Sequence, residues 1–268
     1  MTNMTFSESS SLFIFAHQDD ECGCFFELHR LVARGDKVLV VYLTSGTPDG
    51  NTSHLRDSES INILVKLGVP SSNIYFLGSQ EGIPDGKLSS HLEGAFQSVL
   101  NLIGYSRLPQ RLYFLAWEGG HQDHDAAHLI GLALGKRLGI LENCFQFPLY
   151  TGHNLPSIFF KLFAPLPDNG AKNLSRISWR QRFEFLSYCL CYPSQKKTWL
   201  GLFPFFLFHY LFSGTQIFQP VSLLRIMQQP HTGRLLYERR GFYSYQKFIY
   251  SSKDFVQKNL ITAAKVDS

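Results

Sequence analysis

Residues 12–43 read LFIFAHQDDECGCFFELHRLVARGDKVLVVYL. Residues 12–16 are a short, unbroken apolar run rich in phenylalanine and isoleucine, which predicts a strand buried on both faces. Residues 37–43, KVLVVYL, repeat that pattern. Between the two runs Cys24, Phe25, Leu28, Leu31 and Val32 recur at helical spacing, and Gly35 follows them as a helix stop. A strand, a helix and a second fully apolar strand make a βαβ unit, whose two strands run parallel.

The same alternation extends outward to residue 150. Leu55, Ile61, Leu64 and Val65, stopped by Gly68, predict a helix over about 54–67. Strands are expected over 73–77, 112–116 and 144–149, and helices over 89–103 and 124–138. Such alternation defines an α/β fold, a mostly parallel sheet with helices on both faces. After Tyr150 it fails: Pro156, Pro165, Pro167, Asn169 and Gly170 punctuate the chain. A helix is expected over 179–191, followed by a charge-free run over 198–224 and a basic, aromatic stretch over 225–248. The expectation is one domain over 8–268, with a catalytic core about 10–150 and an irregular, aromatic-rich C-terminal elaboration about 151–268.

Composition narrows the function classes. The chain has 268 residues, 44% of them hydrophobic, and a net charge of +4, so a sizeable core is expected and general disorder is excluded. With 25 basic against 21 acidic residues, no concentrated charge marks it as a nucleic-acid binder. Cys22, Cys24, Cys144, Cys189 and Cys191 are odd in number and form no CxxC. Reduced thiols in a cytoplasmic protein are expected. The N-terminus has no basic n-region, so no signal peptide is expected there. Residues 199–212, WLGLFPFFLFHYLF, fall short of the roughly 20 apolar residues of a membrane span and are read as core or interfacial packing.

Chemistry concentrates in two places. Directly after the first strand comes Ala16-His17-Gln18-Asp19-Asp20-Glu21, at the carboxyl edge where open parallel sheets bind ligands. Helix capping accounts for one or two of these acids. One His and three acids together are costly unless a cation neutralises them, and imidazole with carboxylate suits zinc or a similar ion. After the fourth strand comes the second cluster, residues 117–128, WEGGHQDHDAAH. Gly119 and Gly120 allow a tight turn. His124 and His128 share a helix face at i, i+4, while His121 and His124 converge from the turn; the spacing leaves both arrangements open. His29, His54, His91, His209 and His231 have no such company. The Gly/Ser/Thr-rich loop 44–53 carries neither GxxxxGK[ST] nor GxGxxG. Its small polar residues, Ser45 among them, suit hydrogen bonds to a sugar, with a plain solvent loop as the alternative. His153, just beyond the fifth strand, is placed to line a substrate pocket.

Together AHQDDE and GGHQDHDAAH resemble the PIG-L/LmbE family of zinc-dependent N-deacetylases, N-acetylglucosaminyl de-N-acetylase-like proteins with the pattern A-H-P-D-D-E followed by H-P-D-H. The resemblance spans roughly residues 10–150 and includes Leu43-Thr44-Ser45-Gly46, Arg56, Glu59 and Leu67-Gly68-Val69. It implies a Rossmann-like sheet. It implies His17, Asp20 and His124 as ligands of one Zn2+ per chain, with Fe2+ as the alternative, and an open position for water. Asp19 becomes the general base. His121 becomes the group that stabilises the oxyanion or protonates the leaving amine, with Asp123 orienting it and raising its pKa. Arg56 reaches the substrate's polar end and Glu59 braces the loop. Gln18 and Gln122 replace the two motif prolines, and Gly119 stands where some members carry a tyrosine.

The implied activity is removal of an acetyl group from an N-acetylated amino sugar or glycoconjugate. The competing readings are a metal-dependent amidase or ester deacetylase on another substrate, and a silent metal- or carbohydrate-binding protein. Intact Asp19 and His121 count against the last. For His128 a packed helix residue is favoured over a fourth ligand. Of the 24 phenylalanines, 14 follow residue 150. Phe159, Phe160, Phe163 and the run over 203–212 are read first as core over the sheet edge. The second reading is an apolar ledge for a lipid-linked sugar or membrane surface, with Arg225, Arg234, Arg239 and Arg240 facing phosphates.

Overall fold

The computed structural model describes residues 9–104 and 108–261, apart from the Lys197 side chain. The N-terminal stretch read for a signal peptide, and both ends of the expected 8–268 span, lie outside the described residues. Elements follow in the order β1 (Ser10–Phe15), α1 (Phe25–Ala33), β2 (Lys37–Tyr42), α2 (Ser53–Lys66), β3 (Ile74–Phe76), α3 (Leu77–Gln80), α4 (Leu92–Ile103), β4 (Arg111–Leu115), α5 (Gln122–Leu138) and β5 (Cys144–Phe147). The C-terminal part adds β6 (Tyr150–Thr151), β7 (Lys161–Leu162), β8 (Asn173–Arg176), α6 (Trp179–Tyr188), α7 (Lys196–Phe208), β9 (Thr215–Pro220), α8 (Leu236–Arg239) and α9 (Tyr245–Val256).

One seven-stranded sheet runs in the order β3-β2-β1-β4-β5-β9-β8. The first five are parallel to their neighbours, whereas β9 is antiparallel to both β5 and β8. The chain steps from β1 outward to β2 and β3, then crosses back to place β4 on the other side of β1. That reversal opens a crevice beyond the carboxyl ends of β1 and β4, the place where such sheets bind ligands.

Side-chain alternation sets the two layers. Tyr113 stacks on Phe13 with ring centroids 4.6 Å apart and donates its hydroxyl to Glu27 of α1 at 2.9 Å. Its neighbour Phe114 meets His128 of α5 at 5.2 Å. Adjacent strand residues point to opposite faces, so α1 and α5 cover opposite faces of the sheet. On the α5 side, a Cβ at Gly131 would come within 2.4 Å of the Phe114 ring, so glycine there lets the helix lie close to the sheet.

The strands and the longer helices before residue 150 fall within a few residues of where the sequence pattern predicts them, and the short α3 was not expected. The C-terminal part is less irregular than expected, because β9 and β8 extend the sheet past β5. Both are short, and TQIFQP and NLSR have no long apolar run or clean alternation to announce a strand. Residues 199–212 lie in α7 and the π-turn that follows it, with Trp199, Phe206 and Tyr210 buried. Among the described residues no helix is long and apolar enough to cross a membrane. All five cysteines are free.

Candidate metal centre and active site

At the end of β1 the chain turns sharply. The Asp20 carboxylate accepts hydrogen bonds from its own turn, Ala16 N at 3.0 Å and His17 N at 2.7 Å, through Oδ2. Its other oxygen lies 3.1 Å from His124 Nε2. Asp19, next door, sits at φ 115°, a conformation that costs a non-glycine residue about 1–3 kcal/mol and persists only where surroundings enforce it. Here Glu21 enforces it by accepting from Asp19 N at 2.9 Å, and Tyr192 in turn donates to Glu21 at 3.0 Å. The consecutive acids therefore point to different partners, with Asp19 3.4 Å from the Arg56 guanidinium.

The second cluster is built on the turn from β4 into α5. Asp125 Oδ1 accepts from Gly119 N at 3.1 Å, and Glu118 accepts from Leu149 N and Tyr150 N, both at 2.9 Å. A Cβ on Gly120 would stand 2.0 Å from the Tyr150 carbonyl oxygen. Gly120→Ala must move backbone, so a loss of about 1–3 kcal/mol is expected, with a fall in any activity that depends on His121. Thermal melting checks this, and an unchanged melting temperature would contradict it. His121 occupies the N-cap of α5, where its Nδ1 accepts from Asp123 N at 3.2 Å.

Four sequence-predicted residues meet in the crevice: donor atoms of His17, His121 and His124 lie within 4.8 Å of one another, and Asp20 joins them through His124. Asp85 also enters, 3.1 Å from His17 Nε2 and 3.8 Å from His121 Nε2, and the sequence reading missed it. Its one sequence signal was the Pro84-Asp85-Gly86 turn signature beyond β3. Asp123 was expected to orient the His121 ring. Its carboxylate instead accepts from Gly86 N at 2.6 Å and Leu88 N at 3.0 Å and lies 3.2 Å from His17 Nε2. A carboxylate in the first turn of α5 reaches the neighbouring loop, while the His121 ring folds back onto the backbone of its own helix.

Electrostatics follow from burial among opposed charges. Burial lowers the His17 pKa, but the Asp85, Asp123 and Asp20 carboxylates override it and leave it well above the usual imidazole value. Burial raises Asp20, and His124 and His17 override that, holding it well below the usual carboxylate range. Burial pushes Asp19 up to about 7, with Asp20 and Glu21 adding to the rise and Arg56 opposing it. His121 was expected to be cationic. Burial and the neighbouring His17 and His124 bring it down to about 4 instead, Asp123 and Asp85 opposing, which makes it a neutral imidazole near pH 7.

The remaining predicted contacts divide. Arg56 lines the cavity, but its guanidinium also donates to the Gly46 and Gln18 carbonyls. Glu59 accepts from Ser194 N at 2.7 Å and from its hydroxyl at 2.5 Å, bracing a turn of the C-terminal part. Ser45 and His153 do not line the cavity. The Ser45 hydroxyl donates to Thr47 O at 3.0 Å, and the His153 ring packs 5.2 Å from His231. His128 is a packed helix residue: its ring lies 2.8 Å from the Leu115 carbonyl and between Phe114 and Trp117.

The residues fit a divalent ion. Imidazole and carboxylate donors converge, Asp19, Asp20, Asp85 and Asp123 crowd the crevice, and the buried His124 Nδ1 has no hydrogen-bond partner among the described residues; borderline N/O donor sets of this kind suit zinc and its first-row neighbours. Above the donors opens a cavity of about 440 Å3, within the size range of small-molecule sites. Its floor is His17, Asp19, Asp20, Asp85, His121 and His124, and its walls are Tyr150, Phe160, Leu162, Trp199, Leu202 and Phe206, with Arg240 and Phe242 also lining it.

The His/Asp cluster thus lies at the switch point of an open α/β sheet, where such sheets bind ligands. Residues 12–134 match the PIG-L family model, described as GlcNAc-PI de-N-acetylase. Among solved structures, the A40926 pseudoaglycone deacetylase Dbv21 is 19% identical and superposes with a TM-score of 0.60 over 80% of this chain and 98% of its own. A triple mutant of the deacetylase of the teicoplanin biosynthetic pathway is 18% identical, with a TM-score of 0.61 over 80% and 98%. The N,N'-diacetylchitobiose deacetylase from Pyrococcus horikoshii, complexed with its inhibitor MPG, is 17% identical, with a TM-score of 0.56 over 84% and 88%. These likenesses establish the shared fold. No curated protein sequence matches the chain.

Proposed function

We propose that the protein is a divalent-metal-dependent N-deacetylase, zinc being the first choice of ion and iron the second, acting on an N-acetylated amino sugar or glycoconjugate. The observation that carries this reading is the divergence of two consecutive acids. Asp20 faces His124, as a ligand would, while strained Asp19 stays apart beside Arg56 and borders the cavity. The family model and the sugar-related names of the structural neighbours support the substrate class.

His17, Asp20 and His124 would hold the ion, with Asp85 and Asp123 orienting the His17 ring through its Nε2. When bound, the ion polarises an amide carbonyl and makes water more acidic. Asp19 accepts the proton of the attacking water, and a base with a pKa near neutrality suits that task. His121 borders the same cavity and hydrogen-bonds the departing group through its Nε2–H, since Nδ1 accepts from Asp123 N, while the proton that Asp19 took from water passes to the leaving nitrogen as the C–N bond breaks. Arg56 holds Asp19 in place and meets the polar end of the substrate. The domain is read as one unit over 8–268, because Trp199, Phe206 and Arg240 close a cavity whose floor comes from residues 17–124.

The test is acetate release by the metal-loaded protein against a panel of N-acetylated sugars, nucleotide sugars and lipid-linked sugars. Release from at least one is the expected result. Metal binding without release from any of them would overturn the reading.

A further inference from the structure

α7 and the π-turn after it are apolar on the outside as well as the inside. Trp199, Phe206 and Tyr210 are buried. The opposite stripe, Leu200, Pro204, Phe208 and Phe212, recurs every four residues and faces solvent, with Leu200 80%, Phe208 61% and Phe212 77% exposed. The Phe208 and Phe212 rings stack at 5.8 Å. A helix apolar all round is ordinarily buried, and a contiguous exposed patch marks an interaction surface.

Two observations identify what covers it. The patch is continuous with the cavity mouth. Thr198, Gly201 and Leu202 of the same helix line the cavity, and Phe205 packs 4.7 Å from Phe160, another lining residue. The stretch that carries the patch has charge of one sign. No acidic residue occurs between Glu184 and Glu238, and Lys161, Lys196 and Arg240 carry no ion pair among the described residues. The Arg240 guanidinium lies 5.5 Å from the Phe160 ring, at the point where patch and cavity join.

We propose that this face docks on an anionic phospholipid bilayer, with α7 lying in the plane of the interface and the cavity mouth turned toward the lipid headgroups. Apolar side chains enter the headgroup–acyl boundary while flanking cations meet lipid phosphates. The helix is too short to cross the membrane, which leaves the in-plane orientation. A second copy of the chain fits less well, because it would set Lys196 and Arg240 against the same cations of its copy, and the stretch between Glu184 and Glu238 carries no acid to pair with them.

The test is cosedimentation of the full chain with phosphatidylcholine vesicles and with mixed phosphatidylcholine–phosphatidylglycerol vesicles, no substrate being present. The outcome is thus independent of the deacetylase reading. Wild-type protein is expected to pellet with the mixed vesicles and far less with phosphatidylcholine alone. Leu200→Ser/Phe208→Ser/Phe212→Ser should lower the partition about tenfold or more, and Lys196→Glu about fivefold. None of these residues lines the cavity, so hydrolysis of a soluble substrate should be unchanged. If the triple variant fails to fold by circular dichroism, Phe212→Ser alone carries the comparison. Wild-type protein left in the supernatant with both vesicles, or equal binding by a folded variant, overturns the proposal. So does a wild-type dimer that the triple variant converts to monomer without any vesicle binding, which would assign the face to a second copy.

Discussion

Asp19→Asn keeps the bound metal and loses about 10^2- to 10^4-fold in turnover, the range set by removing a general base. The variant isolates proton acceptance. Asparagine tolerates positive φ as well as aspartate does, so the turn that places Asp20 should survive. Asp19 serves as a base only when ionised, so wild-type turnover should fall as pH drops through its pKa. Burial holds that value at about 7 in the metal-free protein, and a bound cation lowers it. The acid limb of the wild-type profile therefore lies at or below pH 7, and Asp19→Asn should remove it. Metal analysis alongside kcat against pH checks both halves. A variant with full turnover, or one that has lost its metal, would sink the assignment of Asp19 as base.

His124→Ala and Asp20→Asn should lose the metal itself. Each removes one of the donors that converge in the crevice, and His124 stands 3.1 Å from the Asp20 carboxylate. Losing several kcal/mol of charge stabilisation corresponds to a rate loss of about 10^3-fold or more. Chelation of the wild-type protein should give the same loss and be reversed by added zinc or iron. Asp20→Asn is preferred to alanine because Asp20 also accepts from Ala16 N and His17 N, and truncation would loosen the turn. Elemental analysis of the purified variants decides the matter: metal content equal to wild type would remove both residues from the ligand set.

The two predictions separate chemistry from binding in residues one position apart. Asp19 and Asp20 are the same residue type, and their sequence positions do not distinguish a base from a ligand. Geometry gives them different partners. Glu21 and Tyr192 hold the turn at φ 115°, which sends one carboxylate to His124 and the other to Arg56.

Legibility followed local physics. The parallel sheet was readable because strands buried on both faces must be continuously apolar, as in 12–16 and 37–43, and because the intervening helix shows its period. The carboxyl-edge clusters were readable because a His with three acids is electrostatically improbable without a cation. β8 and β9 were not readable, since short strands whose pairing comes from distant partners carry little pattern of their own. Asp85 was hidden in a turn whose composition suits any solvent loop. Ser45 and His153 were placed at the correct edge of the sheet, but their side-chain directions depend on Thr47 and His231.

The sequence alone therefore settled the βαβ order, the edge of the sheet that carries the chemistry, and the candidate donors His17, Asp20, His121 and His124. Those properties follow from burial, period and charge within a few neighbouring residues. Tertiary structure decided that Asp85 joins the cluster, that Asp123 supports His17 and not the His121 ring, that buried His121 is neutral, and that α7 and Arg240 shape the cavity mouth. Each of these depends on contacts or desolvation between residues far apart in the chain. Such terms arise only once the sheet has closed and brought residue 17 against residues 85 and 124.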